Sequence, residues 1–228
     1  MDHEDIDALA SLGWSRRVIE AKEPLNPRGN LCILASGMAS RYRAAPDGGR
    51  QLTALLLPGD VCDFQFVTGA LQTSGLSAMV RTTVMEIPLD ALLPVVDQRP
   101  RILSTLLSHL AEDVAVTEEL LISLGRRTAL ERMAHLLCET HFRLKRMGLV
   151  HDGAFIMTLT QAELGDYLGL SAVHVNRTMQ ELRRRGLIQS AGGQIRILDR
   201  EALEAIAGFS PFYLRRSGVQ DAPLRLDA

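Results

Sequence analysis

The sequence predicts an α+β chain in three parts: an antiparallel β-roll, one long amphipathic helix, and a compact helical module finished by a β-hairpin. Three observations carry this. From Trp14 to about Pro88 the chain is a series of short apolar runs broken by Gly, Pro, Asn and Asp. From Gln98 to about Leu124 the apolar residues switch to helical spacing. The stretch Thr160–Arg185, TQAELGDYLGLSAVHVNRTMQELRRR, reads as two short helices joined by a tight turn.

Taken in order, residues 1–13 are acidic and weakly helical. Leu31–Ala35 and Met38–Ala44 flank the turn signal Ser36-Gly37. Gln51–Leu57 comes after Pro46-Asp47-Gly48-Gly49, and Val61–Val67 after Pro58-Gly59-Asp60. Leu76–Val80 and Thr83–Ile87 complete a set expected to form seven to eight strands of a closed roll, which hides its edges and can enclose a small ligand. Leu89–Val96 reads as a short helix broken by Pro94.

The long helix then places Ile102, Leu106, Leu110, Val114, Leu121 and Leu124 on one stripe, widened by Leu103, Leu107 and Leu120. Such a stripe must be buried. Part can cover the roll, and the rest is expected to form a two-stranded seam with a second copy, carried by Leu106, Leu110, Val114 and Leu121. The alternative is a helix that only packs within a monomer. Gly125 marks an expected hinge. Arg127–Met147 is a further amphipathic helix with Leu130, Met133, Ala134, Leu137, Cys138 and Leu144 inward, stopped by Gly148, and Phe155–Leu159 is a short strand.

In Thr160–Arg185 the helices are expected at Gln161–Leu168 and Ala172–Arg185. Thr160 and Glu163 have the spacing of a capping box. Gly169 sits where the chain must turn, and Ser171 is a good N-cap. Leu164, Leu168, Leu170, Val175, Met179 and Leu182 form an apolar wedge, and Gly165 lets the helices approach. The residues left outside include His174, Asn176, Arg177, Gln180, Arg183 and Arg184, which suit base edges and phosphates. An ordinary helical hairpin with a solvated basic face would look similar. The next residues favour a helix-turn-helix: Gly186 ends the helix, Leu187-Ile188 opens a strand, Gly192-Gly193 turns it, and Gln194–Leu198 returns as a β-hairpin wing. Arg200–Ile206 is a last helix, and Gly208–Ala228 reads as a poorly ordered tail. The expected divisions are a roll over 1–97, a dimerisation helix and hinge over 98–125, a winged helix-turn-helix over 126–207, and the tail over 208–228.

Composition narrows the class. At 228 residues the chain has room for two modest domains, and 46% apolar residues exclude wholesale disorder. A net charge of −2 requires any DNA contact to be local. Positive charge clusters late, at Arg126-Arg127, Arg143, Lys145-Arg146, Arg177 and Arg183–Arg185. Three dispersed cysteines, Cys32, Cys62 and Cys138, argue against a disulfide framework and are expected as buried thiols. No signal peptide and no long apolar run is present, so a cytoplasmic, membrane-free chain is expected. His135, Cys138 and His141 fall at i, i+3 and i+6, but His141 is rotated off the face shared by the first two, so no metal site is expected. No nucleophile elbow, Walker loop or HExxH motif exists, so no catalytic residue is expected.

The order of Pro58-Gly59-Asp60 roll, long helix, LGRRTALERMAHLLCE (Leu124–Glu139) and LTQAELGDYLGLSAVHVNRTMQELRRRGLI (Leu159–Ile188) resembles the Crp/Fnr superfamily of bacterial transcription regulators. The resemblance runs from about Leu12 to Ile206 and is most specific at the C-terminal motif. It implies a cyclic-nucleotide-binding-like (cupin-like) roll, a homodimer and a winged domain that binds double-stranded DNA. It implies phosphate contacts at Thr160 and Ser171. Arg177 matches a family base reader, whereas Val173 stands where many members read a G·C pair with Glu, and Ala172 stands where the best-known cyclic-AMP member has Arg. Ala172 and Val173 can meet thymine methyls, Arg177 can chelate guanine, Asn176 can pair with adenine or phosphate, and His174 and Gln180 complete the contact set. An activator of this type would also meet RNA polymerase.

The sensor departs from the family pattern. Asp60 is followed by Val61-Cys62-Asp63-Phe64-Gln65-Phe66, without the Gly-Glu pair of cyclic-nucleotide binders, and no Arg or Lys stands between Arg50 and Arg81. A cyclic phosphate would lack its cation. Oxygen-sensing members hold an iron–sulfur cluster on four cysteines, and three cannot supply that site. A haem needs one axial His or Cys, and no pattern here selects it. No cofactor is therefore evident, and the effector stays open. The other reading is a sensor that acts through protein–protein contact, with its helix-turn-helix vestigial.

Overall fold

The computed structural model describes residues 2–27, 29–46, 48–64 and 74–214. A first helix, α1 (His3–Ala10), is capped by Asp2 and Asp5, which bond reciprocally to each other's backbone N–H. Six strands come next: β1 (Ser15–Ile19), β2 (Asn30–Ser36), β3 (Ala39–Ala44), β4 (Arg50–Leu56), β5 (Gly75–Ala78) and β6 (Thr82–Pro88). They form two antiparallel three-stranded sheets, ordered β1-β6-β2 and β4-β3-β5. Register shifts at Leu34/Ser36 and Arg41/Tyr42 bend the strands as a curled roll requires. Ile19, Cys32, Leu34, Leu56, Cys62 and Val84 are among the buried side chains that fill the interior.

This roll differs from expectation in three places. Six strands are seen among the described residues rather than seven or eight. β1 carries no strand signal of its own, because Ser-Arg-Arg-Val-Ile shows no clean alternation, yet it pairs along β6 from Ser15–Glu86 to Ile19–Thr82. Of the run Val61–Val67, Val61 makes only an isolated bridge to Ile33, and its last three residues lie outside the described residues.

Helix α2 (Leu89–Gln98) runs through Pro94 instead of breaking there. Pro94 and Asp90, whose carbonyl loses its helical donor, are both exposed, a position where solvent can take the place of the lost bond. Helix α3 (Pro100–Arg126) begins with Pro at its first position, where the missing N–H costs nothing. It does not end at Gly125. The break comes at Arg127, which is extended, and Thr128 then starts α4 (Ala129–Arg146) with a Thr128/Glu131 capping box. Thr128-Ala-Leu-Glu131 is as local a signal as Thr160/Glu163 and places the hinge two residues later than expected.

Beyond α4 lie β7 (Ala154–Ile156), α5 (Gln161–Leu168), α6 (Ala172–Arg184), β8 (Ile188–Ala191), β9 (Gln194–Ile197) and α7 (Arg200–Ala207). The strand expected over Phe155–Leu159 is shorter and starts one residue earlier. The three strands form one sheet, β7-β9-β8. The expected tail is partly structured. Pro211–Leu214 is a turn of 3-10 helix, Leu214 is fully buried, and the Tyr213 hydroxyl donates to Glu139 Oε2 at 2.8 Å. The aromatic residues Phe209 and Tyr213, which pack on His135, are the sequence signal for it. Residues 215–228 lie outside the described residues.

The roll and the C-terminal module share a core. Leu52, Leu55 and Leu57 from the roll pack in one cluster with Met133, Leu137, Leu168 and Val175. Arg50 pairs with Asp166 at 2.9 Å, and the Gln51 side-chain amide donates to the Tyr167 carbonyl at 3.1 Å, so α5 sits directly on β4.

Candidate nucleic-acid interface

The site is built from α5, the turn after it, and α6. Thr160 accepts from the Glu163 backbone N–H at 3.2 Å, and Glu163 accepts from the Thr160 N–H at 2.8 Å, which fixes the start of α5. Gly169 ends α5 in the left-handed region, at φ 63°. Gly165 is needed for a different reason: a Cβ there would lie 2.3 Å from the Leu170 carbonyl oxygen. Leu170 N–H in turn donates to the Gly165 carbonyl at 3.1 Å, so the two backbones touch. Ser171 then caps α6, accepting from the His174 N–H at 3.3 Å.

This arrangement sorts the side chains of α6 as expected. Val175 and Leu182 are fully buried, and Leu164 and Leu168 of α5 are buried with them. Leu170 and Met179 pack against the same cluster while partly exposed. The other face carries the expected contact set. Thr160, Ser171, Ala172, Val173, His174, Arg177 and Gln180 are exposed, and Asn176 is half-buried. Val173 is 63% exposed, a large apolar side chain held in solvent at the start of a helix. Thr178 turns inward, its hydroxyl donating to the His174 carbonyl at 2.9 Å. Gly192-Gly193 links β8 to β9 as the wing, and Arg183 ties it to α6 by donating to Ser190 Oγ at 3.2 Å.

The structure does not bring the late basic residues together. Arg143 is half-buried and paired with Asp60 and Glu139. Arg146 pairs with Glu112 at 2.7 Å, and Arg127 with Glu119 at 2.9 Å. Arg184 and Arg185 both bond Glu181, whose carboxyl they hold down at about 2. Arg177 is exposed and has no hydrogen-bond or ion-pair partner among the described residues. Burial pushes the Asp60 and Glu139 carboxyls up, while the Arg143 guanidinium pulls both back. This group is a structural clamp between roll and α4, with Arg143 also donating to the Leu55 carbonyl at 3.3 Å.

The other flagged residues lie in packing positions. Cys32, Cys62 and Cys138 are buried free thiols, and burial pushes Cys138 up to about 12. His135 stacks on Tyr213 with centroids 6.2 Å apart, whereas His141 meets Phe155 edge-on at 5.9 Å, so the two imidazoles face different neighbours. Burial, with Arg127 adding, holds His135 down at about 4.

The four residues expected at the seam separate. Leu106 turns inward and packs with Ile102, Val61 and Leu92 against the roll. Leu110 is half-buried, and Val114 and Leu121 are exposed. Leu103 and Leu107, expected only to widen the stripe, are 46% and 55% exposed. The outer line is therefore Leu103, Leu107, Leu110, Val114 and Leu121, and Leu106 belongs to the inner face.

A capped helix pair with an exposed second helix, a wing and a shared core with a β-roll is the arrangement of a winged helix-turn-helix DNA-binding protein. Residues 131–206 match the Crp-like helix-turn-helix domain, and residues 17–99 match the cyclic nucleotide-binding domain. The transcriptional activator protein anr of Pseudomonas aeruginosa is 26% identical over 209 residues, spanning 90% of this chain and 85% of that protein. The anaerobic regulatory protein of Pasteurella multocida is 24% identical over 212 residues, 91% of this chain and 77% of that one. Among solved structures, FixK2 from Bradyrhizobium japonicum superposes with a TM-score of 0.76 at 25% identity, over 87% of this chain and 100% of that chain. The chain belongs to the Crp/Fnr family of transcription regulators; it is a DNA-binding regulator and not an enzyme. Among the described residues no helix is long and apolar enough to cross a membrane.

Proposed function

We propose that the protein acts in the cytoplasm as a homodimer that reads a two-fold DNA site, with α6 of each copy in a major groove. The observation that carries this is the outer face of α6, where Ala172, Val173, His174, Arg177 and Gln180 stand exposed while the inner face is buried. In this reading Thr160 and Ser171 meet phosphates at the two helix starts, where backbone N–H groups favour anions. Arg177 reads guanine, and Val173 and Ala172 lie against thymine methyls. Asn176, half-buried, reaches the DNA only at the edge of this face.

Two copies would join through α3. Leu103, Leu107, Leu110, Val114, Thr117 and Leu121 are spaced four, three, four, three and four, which is the a/d repeat of a coiled coil. The roll packs on the inner face of the same helix, so a change in the roll would reach the spacing of the two recognition helices. Contact with RNA polymerase would follow if the protein activates. The roles assigned to 1–97, 98–125 and 126–207 keep this division, with the hinge moved to Arg127–Thr128.

Selection of bound fragments from genomic DNA tests the reading. It expects inverted half-sites centred about one helical turn apart; a single unpaired half-site contradicts it. Val114→Glu places a charge in the seam and is expected to yield monomers by light scattering, with loss of binding to the paired site. A stable Val114→Glu dimer would remove the seam.

A further inference from the structure

We propose that a cavity between the roll and the inner face of α3 binds a small neutral molecule, one ring in size, that carries a single polar group. The cavity measures about 130 Å³. Leu9 of α1, Trp14, Ile33 of β2, Leu92 of α2, and Ile102 and Leu106 of α3 supply its apolar walls. A void of this scale takes a benzene ring, and it falls below the ~300–1,000 Å³ of sites for larger ligands.

The lining decides the charge. The Trp14 indole N–H is taken up by the Leu9 carbonyl at 2.7 Å, and the Thr105 hydroxyl by the Arg101 carbonyl at 3.0 Å, so the walls present mainly carbon. A polar rim adjoins the cavity at Asp60, Glu112 and Asp113. Each carboxylate there already faces an arginine: Asp60 with Arg143, Glu112 with Arg146, and Asp113 with Arg41. A charge-balanced rim offers an incoming ion no counter-charge, and apolar walls would strip its hydration. A neutral ligand suffers neither cost. His109 lines both the cavity and the rim, so the polar end of the cavity, where the ligand's polar group would meet the rim, lies there.

The position also matters. Ile102 and Leu106 face this cavity, while Leu103 and Leu107 on the same turns face solvent. An occupant would press on the long helix opposite its exposed apolar line. The site itself does not depend on how the protein assembles or reads DNA.

Trp14 is the sole tryptophan, so its indole N–H gives one resonance at the cavity wall. The full chain is titrated with benzyl alcohol, benzoate and benzylamine while that resonance is followed. Benzyl alcohol is expected to shift it saturably, and the two ions to bind at least tenfold more weakly. Thr105→Phe, which places a ring in the cavity, is expected to weaken benzyl alcohol at least tenfold without altering the DNA-binding half; Ile33→Phe serves if that variant does not fold. A shift that never saturates, equal binding of the three probes, or saturable binding that survives a folded ring-filling variant overturns the proposal.

Discussion

Arg143 and Arg177 lie in the same half of the chain and count equally towards its charge, yet the fold gives them opposite tasks. Arg143 reaches from α4 to the roll, where Asp60 and Glu139 hold its guanidinium above the ordinary arginine range despite the desolvation that would lower it. Arg177 stands in solvent on the outer face of α6 with no partner among the described residues. The clamp uses its charge to join two domains, whereas the recognition face keeps its charge for DNA. A cluster of basic residues in sequence is therefore not a surface patch; only partners in space decide which charge is left over.

The largest effect that can break this contrast is expected at the clamp. Arg143→Ala leaves the buried Glu139 and the half-buried Asp60 without their cation and the Leu55 carbonyl without a donor, and should cost about 3–5 kcal/mol in denaturant unfolding. A loss below about 1 kcal/mol would mean that the clamp is ornamental.

Next comes His135, also on α4 but packed against α3 and Tyr213 rather than the roll. Its imidazole is kept neutral in the folded chain down to about pH 4, while in the unfolded chain it takes a proton near pH 6.5. Between those values the unfolded state binds more protons, so the stability present above pH 6.5 is lost as pH falls towards 4. His135→Phe keeps the ring against Tyr213 and should remove that part of the acid limb, on the order of 3 kcal/mol between the two pH values. Parallel acid limbs in the two proteins would contradict the burial assigned to His135.

The smallest stability effect belongs to the recognition face. Arg177→Ala removes no internal contact and should change unfolding by less than about 0.5 kcal/mol. A larger change would reveal a structural role and blur the contrast.

Legibility in the sequence divides along the same line between local and distant partners. Capping boxes, the Gly169 turn and the wing are set by neighbours within a few residues, so α5, α6 and the wing stand where their residues predict, with α6 one residue shorter. The split of the long-helix stripe was not legible, because Leu103 and Leu106 look alike until the roll occupies one side. Pro94 misleads for a related reason: its cost depends on whether the orphaned carbonyl meets water. β1 is held by β6 rather than by its own pattern. Phe209 and Tyr213 were readable as apolar, but their burial rests on α4, remote in sequence.

DNA recognition by the outer face of α6 is tested most directly by a salt titration of binding for the wild type and Arg177→Ala on the selected two-half-site fragment. A steep fall of affinity with salt is expected for the wild type. Arg177→Ala should lose about 1–3 kcal/mol per half-site and relax discrimination at one base pair in each. Binding that ignores salt, or an Arg177→Ala protein with unchanged affinity and sequence preference, would contradict that role.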